Sequence, residues 1–433
     1  MTVIVSVIAM LALCLIKVNV ILALILGALI AGITAGISPA VITEHFTSGA
    51  ANAANIALSY GLLGAFANGL SCSGITEKLT RLFDRQKNNK SVLYKVYLLF
   101  MLLLMGIASQ NMIPVHIAFI PVVIPPLLSV FNQMKIDRRL IACIITFGIT
   151  CTYMTVPLGF GEIYLNDVLG GNLAKNGLIV SAMDLPLAML IPGMGMLAGL
   201  LLAVFFSYRK PRKYSDTIWK SKSVSADQPG KIRFFSVIAA IGITVTVQLL
   251  LNSMIMGALS GCLILTLTGA FSRKKADSVF MEGFKMMAPC GFIMMAASGF
   301  AAVLEQTGSI PQLVKIVSTA VPSKGFLVFL MLLAGLLITM GIGSSFSTVP
   351  LLAAIYVPVA VYTGLSPMAT IALVGTAGAL GDAGSPASDS TIGPTSGLNM
   401  DGQHDHMRDT VIPTFLHYNI PLLIAGWIAV MLL

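Results

Sequence analysis

The chain has 433 residues, 57% of them hydrophobic and only 10% charged, with a net charge of +9. Soluble domains carry roughly 25% charged residues, and the apolar runs here repeatedly reach the ~20 residues that cross ~30 Å of hydrocarbon as a helix. A polytopic membrane protein is the one class that fits, and the basic residues read as topology signals in short loops rather than as a nucleic-acid surface.

In chain order, apolar segments fall at 2–16, 20–42, 57–76, 92–108, 113–131, 139–158, 186–207, 233–254, 255–272, 286–304, 325–340, 346–364, 366–381 and 411–433. Not all of these fourteen need be full spans. The first lacks a basic stretch before it, since Lys17 follows it, so it reads as a retained span and not a cleaved signal. Cys14, Cys72, Cys143, Cys151, Cys262 and Cys290 lie in or beside apolar segments without CxxC spacing and read as packing residues. The methionines at helical spacing read the same way.

The one hydrophilic connector, 208–232, divides the segments seven and seven, giving an N-terminal transmembrane repeat at 1–207 and a C-terminal one at 233–433. It carries Arg209, Lys210, Arg212, Lys213, Lys220, Lys222 and Lys231. Further basic clusters fall at 77–95 (Lys78, Arg81, Arg85, Lys87, Lys90, Lys95), 132–139 (Lys135, Arg138, Arg139) and 273–285 (Arg273, Lys274, Lys275, Lys285). The positive-inside rule puts all four in the cytoplasm and both termini outside.

Residues 65–82 align with 299–316 through Phe66/Phe300, Ala67/Ala301, Leu70/Leu304, Gly74/Gly308 and Leu79/Leu313. The charged turn KIDRR (135–139) corresponds to the uncharged TGLSP (363–367). Equivalent loops of unlike charge sit on opposite sides, as an inverted-topology repeat requires, and such repeats hold substrate beside broken helices near the midplane. The expected fold is therefore an all-α polytopic membrane protein, an inverted-topology repeat with re-entrant hairpins and broken helices.

Two matched pairs of breaks carry the chemistry. The first is GIASQN (106–111) and GIGSSFST (341–348). Gly341 and Gly343 free the backbone, while Ser109, Gln110, Asn111, Ser344, Ser345, Ser347 and Thr348 offer oxygens. These suit a bare Na⁺, or a carboxylate at a half-helix N-terminus; the alternative is close packing of small residues. The second pair is PLGFGEIYLND (157–167) and GDAGSPASDSTIGPTSG (381–397). Non-helical backbone survives at membrane depth only inside protein or beside a cavity. Asp382 and Asp389 lead here because Ser385, Ser388, Ser390 and Thr391 surround them, and desolvation lets H⁺ and Na⁺ compete for a carboxylate. The alternative for either Asp is a helix cap. Glu162 is a weaker candidate, placed near the outer surface.

The run DGQHDHMRD (401–409) offers Asp401, His404, Asp405 and His406 as proton-coupling or gating groups. A transition-metal site and a solvated loop are the alternatives, and the two-residue spacing of the imidazoles argues against the metal. His417 reads as a hydrogen-bonding partner of a neighbouring break. No HExxH, GxSxG or GxxxxGK[ST] is present, so neither an intramembrane enzyme nor an ATP-driven pump is expected. A channel is disfavoured by the lack of a repeated filter.

GIGSSFSTVP, GDAGSPASDSTIGPTSGLN and DGQHDH…DTVIPTFLHYNIP resemble the NhaC-type Na⁺/H⁺ antiporter family of the ion transporter superfamily, nearest to its branch of amino-acid, or histidine, permeases. The resemblance implies paired hairpins, unwound helices and frequent homodimers. The expected function is Na⁺/H⁺ exchange by alternating access in the bacterial cytoplasmic membrane, with Na⁺- or H⁺-coupled amino-acid transport as the alternative. No cofactor beyond the coupling ions is expected, and the partners are a small ion or solute and lipid.

Overall fold

The computed structural model describes residues 2–16, 18–73, 92–111, 116–215, 231–251, 253–269, 276–309 and 323–433. Among these the regular structure is helical, with no strand. The helices are α1 Thr2–Leu15, α2 Val20–Thr34, α3 Pro39–Asn52, α4 Ala54–Cys72, α5 Val92–Asn111, α6 His116–Gln133, α7 Arg138–Thr155, α8 Phe160–Lys175 and α9 Asp184–Ser207. After the connector come α10 Lys231–Leu251, α11 Met254–Leu267, α12 Ala276–Gln306, α13 Lys324–Ile342, α14 Ser345–Tyr362, α15 Pro367–Ala379, α16 Asp389–Leu398 and α17 His406–Leu432. Most of the basic residues of 77–95, 208–232 and 273–285 lie outside the described residues.

Four of these helices cross the length and hydropathy threshold for a membrane span, and five do if α7 and α8, bent 53° at their break, count as one. The apolar segments therefore mark helices, several of them too short to span alone. Segment 20–42 divides where Gly36 takes φ +76° and Pro39 opens α3, because Pro fits the first helical turn and not an interior one. Two stretches expected as breaks are partly helical: the chain resumes as α8 directly after Gly159, and α16 forms within the polar 381–397 segment.

Contacts sort the helices into two bundles, each drawing on both sequence halves. One joins α2, α3 and α4 to α12, and α11 to α4 and α10. The other joins α5–α9 to α13–α17, and α1 packs on both α2 and α13. Across the second bundle the packing is reciprocal: α6 lies on α16, and α14 lies on α8.

The two short turns are built differently for the two ends of this bundle. At 363–367, Gly364 takes φ +67°, Ser366 caps α15 through Ala369 N (3.0 Å), and Ser366 Oγ donates to the carbonyl of Leu433 (2.8 Å). At 134–138, Asp137 caps α7 through Arg139 N (3.0 Å), and the Lys135 carbonyl accepts from Arg212 N (3.1 Å). Helix α17 runs from the second turn to the first.

At the charged end the connector's first residues are strapped to the loop before α17. Arg138, wholly buried, grips Asp401 with both terminal guanidinium nitrogens (2.6 and 2.5 Å) and also donates to the Leu398 carbonyl (2.9 Å) and Asn132 Oδ1 (3.0 Å). Tyr214 lies over the same guanidinium, 4.4 Å from its centre. Arg212 pairs with Asp409 (2.6 Å), and Ser215 and Gln403 exchange hydrogen bonds. Burial alone would push the Asp401 carboxyl up, but the hydrogen bonds and charge of Arg138 hold it below the ordinary carboxylate range.

Removing one partner of a buried ion pair costs about 3–5 kcal/mol, because the other charge stays buried alone. Asp401→Asn is therefore expected to lower the melting temperature of the detergent-solubilised protein. A depressed folded pKa means that the carboxylate's contribution is complete above its unfolded value of roughly 4 and is lost only as pH falls through the folded value. The drop should accordingly be equal at pH 7.5 and pH 5.5. Wild-type stability in Asp401→Asn, or a drop confined to one of these pH values, contradicts this account.

Candidate ion and substrate site

Two helix breaks are pressed together at the centre of the second bundle. Helix α13 ends at Gly343, whose φ of +75° is left-handed, and Ser344 is extended before α14 begins. Helix α15 ends at Ala379, Gly381 takes φ +90°, residues Asp382–Gly384 form one tight turn, and Ser388 caps α16 through Ser390 N (3.1 Å). A Cβ at Gly343 would lie 2.7 Å from the Ala387 carbonyl, and one at Gly381 would lie 2.7 Å from Met340 N. Only glycine allows both the left-handed backbone and this approach. Ser385 Oγ bonds the Met340 carbonyl (2.9 Å), so broken backbone is satisfied by side chains rather than by helix.

Asp382 projects into this junction and is 7% exposed. Its carboxylate accepts hydrogen bonds from Ser388 Oγ, from Tyr153 OH (2.6 Å) and from Ser390 Oγ (3.3 Å). Tyr153 has one proton, given to Asp382, so the Ser345 hydroxyl 2.6 Å away donates to Tyr153. The chain Ser345–Tyr153–Asp382 thereby links the two breaks through α7. Among the described residues no Lys, Arg or His pairs with this carboxylate.

The face of α7 that meets the junction carries Thr146, Thr150 and Tyr153 at helical spacing. Thr146 Oγ1 donates to the Ser390 carbonyl (2.8 Å). Thr150, between them and fully buried, has no partner for its hydroxyl. Asn419 of α17 receives Gly381 N on Oδ1 (3.4 Å) and leaves its buried Nδ2 unpartnered beside Gly384. Tyr164 of α8 backs Tyr153 edge-on, with ring centres 4.7 Å apart.

Of the residues singled out in the sequence, Ser345, Asp382, Ser388 and Ser390 are gathered here. Ser385 and Thr391 hold the loop, the latter through the Ser385 carbonyl (2.5 Å). Asp389 is half-buried at the first position of α16, where a carboxylate complements the helix dipole. Gly341 is a packing position, against Phe300 and Leu304 of α12 and Val7 of α1. Thr348 bonds the Ser344 carbonyl within α14 (2.7 Å). The side chains of Asn111 and Ser347, and residues 112–115 of the first hairpin tip, lie outside the described residues. Ser109 bonds the Gly106 carbonyl (2.9 Å), and Gln110 is buried with Oε1 unpartnered.

Glu162 is exposed on α8, whereas Asp382 is buried. Asp401 is held by Arg138, Asp405 caps α17 through Arg408 N (2.7 Å), and His417 ties Pro413 to Ser207 at the end of α9 (2.7 and 2.8 Å). Sequence reasoning missed Tyr153, Thr146, Thr150 and Asn419. The polar stripe of Thr146, Thr150 and Tyr153 in an otherwise apolar helix is the signal that marks three of them.

Comparison with known proteins follows the same outline. A family model described as "Na+/H+ antiporter family" matches residues 144–427, and one described as "Na+-H+ antiporter family" matches residues 1–85. An uncharacterized membrane protein of Vibrio parahaemolyticus is 53% identical over 100% of this chain and 99% of its own length. "Putative amino acid transporter YuiF" of Bacillus subtilis is 46% identical over 90% of each chain. Among solved structures, the YdaH transporter of Alcanivorax borkumensis matches with a TM-score of 0.45 and 16% identity over 90% of this chain and 86% of that one. The chain belongs to the Na⁺/H⁺ antiporter family and is an integral membrane secondary transporter, not an enzyme.

Proposed function

We propose that the protein exchanges Na⁺ for H⁺ across the bacterial cytoplasmic membrane, with Asp382 as the group for which the two ions compete. The observation that carries this reading is a buried carboxylate with hydroxyl partners and, among the described residues, no protein cation. A charge so placed is neutralised by a proton or by a bound cation. Na⁺ is a hard cation that suits oxygen ligands, and Asp382, Ser388, Ser390, Ser345 and Tyr153 supply them within one junction. The unpartnered Thr150 hydroxyl on the same helix face adds another. Tyr153 couples the site to both breaks, so the ion's occupancy bears on how α13–α14 and α15–α16 pack.

Asp382→Asn keeps the shape of the side chain and removes its charge. It is expected to abolish Na⁺-dependent exchange in proteoliposomes, whereas Asp389→Asn retains it. Tyr153→Phe removes one hydrogen bond to a charged group, worth about 1.5–3 kcal/mol, and is expected to weaken apparent Na⁺ affinity roughly 10- to 150-fold. In wild type, acidification raises the Na⁺ concentration needed for half-maximal exchange. If Asp382→Asn keeps the wild-type Na⁺ and pH dependence, Asp382 is not the coupling group.

A second reading has its own observation. Ser344 makes no side-chain cap on α14, and a helix N-terminus without such a cap suits a carboxylate. An amino acid would set its carboxylate there and its ammonium on Asp382, in keeping with the name of the Bacillus relative. Ligands that bind the folded state raise its apparent stability. Thermal stabilisation by Na⁺ with no response to a panel of amino acids is expected for the exchanger; stabilisation by an amino acid, followed by its uptake into proteoliposomes, would establish the permease instead.

The basic turn at 132–139, the start of the connector and the 401–409 loop share one end of the bundle, and the Lys/Arg excess there supports a cytoplasmic orientation. A cysteine introduced at Ser215 should resist labelling from outside intact cells, and one at Tyr362 should react. The reverse pattern overturns the orientation.

A further inference from the structure

Helix α16 carries a second polar feature beyond the Asp382 junction. Ser388, Thr391 and Thr395 recur at three- and four-residue spacing, so they share one face. At its far end Thr395 Oγ1 lies 2.8 Å from His406 Nδ1 and 2.9 Å from Thr410 Oγ1, and Thr410 Oγ1 lies 2.6 Å from His404 Nε2. On the other side of its ring, His406 Nε2 lies 2.9 Å from the carbonyl of Pro386, within the loop that carries Asp382 and Ser388.

The proton count makes this more than packing. A carbonyl only accepts, so His406 Nε2 carries a hydrogen, and in the neutral ring Nδ1 must accept. Thr395 has one proton and three neighbours for it: the Thr391 carbonyl (2.9 Å), His406 Nδ1 and Thr410 Oγ1. With His406 neutral, Thr395 donates to it. With His406 protonated, Nδ1–H donates to Thr395, whose own proton turns to Thr391. Both charge states of the ring therefore have a complete set of partners.

His404 ends the row. It is 1% exposed, and its Nδ1 has no partner, leaving a buried polar atom at the entrance of the network. Burial holds the His404 imidazole down to about 4, so the ring is neutral at physiological pH and can pass a proton without keeping it. The charged neighbours are Asp409, Arg138 and Arg212 around His404, Asp405 beside His406, and each imidazole for the other.

We propose that His406 is a second proton site, reached from the connector end of the bundle through His404, Thr410 and Thr395, and that it positions the Asp382 loop through the Pro386 carbonyl. In transfer, a proton taken up at His404 Nδ1 charges that ring, whose Nε2–H then passes to Thr410 Oγ1 as the Thr410 proton moves to Thr395 and the Thr395 proton to His406 Nδ1, leaving His404 neutral with its hydrogen on Nδ1. Each hydroxyl gains one proton and gives one up. The charged ring then makes a charge-assisted bond to Pro386, roughly twice as strong as the neutral one, and so tightens the loop two residues from Ser388. This rests on the assignment of Asp382 as the coupling group.

The test uses the full-length protein in proteoliposomes, with Na⁺-dependent exchange measured across pH. His406→Gln keeps an N–H for Pro386 and cannot be protonated. It should retain near-wild-type exchange at alkaline pH and lose one titration step, giving a flatter pH profile with the Na⁺ requirement intact. Thr395→Val removes the relay hydroxyl without changing side-chain shape and should give the same flattened profile, while Thr395→Ser restores the wild-type one. A merely structural role would lower the rate at every pH without altering the profile, and that outcome overturns the proposal. So does a wild-type profile in both His406→Gln and Thr395→Val. Loss of Na⁺ dependence in Asp382→Asn with wild-type profiles in these variants would sink the second proton site and leave the Asp382 assignment standing. If wild-type exchange responds to neither Na⁺ nor pH, both assignments fall.

Discussion

A carboxylate with no protein cation among the described residues, held by hydroxyls inside an apolar bundle, sets the terms for everything around it. An ionised group removed from water is costly unless it is hydrogen-bonded and compensated. Hydroxyl donors to Asp382, Tyr153, Ser388 and Ser390 among them, meet the first condition, and none of them carries charge. Those donors come from α7, from the loop itself and from the start of α16, so the site exists only while the breaks at 343–345 and 381–388 stay in register. The glycines at 343 and 381 are what let two unwound segments approach backbone to backbone.

That arrangement needs rigidity at a distance from the site. The connector end supplies it with Arg138 and Asp401, 263 residues apart in sequence, and with Arg212 and Asp409, 197 apart. Both pairs join the first sequence half to the second, and both sit on helices that reach the junction: Arg138 opens α7, which brings Tyr153, and Asp409 lies at the start of α17, which brings Asn419. The ion pairs thus hold the helices that present the ligands without contributing a charge to the ligands' own surroundings. Charge is kept at one end of the bundle and hydroxyls at its centre.

The parts of this that sequence could reveal are those with local causes. Apolar length marks the helices, and the Gly–Pro and Asp signals mark the turns at 363–367 and 135–139. The polar run from 381 marks the break, because such residues have no other business between apolar segments. What escaped has distant causes. Tyr153 is an ordinary aromatic in an apolar helix until Asp382, 229 residues later, is folded against it. Arg138 counts as one more loop charge until Asp401 buries it. Helix α16 escaped because Gly393 and Pro394 argue against a helix, whereas tertiary packing on α6 and α7 holds one there. Of the carboxylates in the two polar stretches, Glu162 is exposed and Asp382 buried, so like composition did not carry like burial.

The location of the junction constrains how transport can proceed. Among the described residues, the hydrogen bonds to Asp382, and the Tyr153–Ser345 bond beyond it, lie within the second bundle. The bundles meet where α4 lies on α6 and α12 on α13 and α16, with Gly341 packed against Phe300 and Leu304. A relative movement of the bundles therefore leaves the ligand set whole, whereas opening the junction itself would strand a buried carboxylate, a tyrosine hydroxyl and the backbone of two breaks. The unfavourable term in the second route is several unmet polar groups in a medium without water. For the exchange proposed above, motion between bundles is the route with the smaller cost.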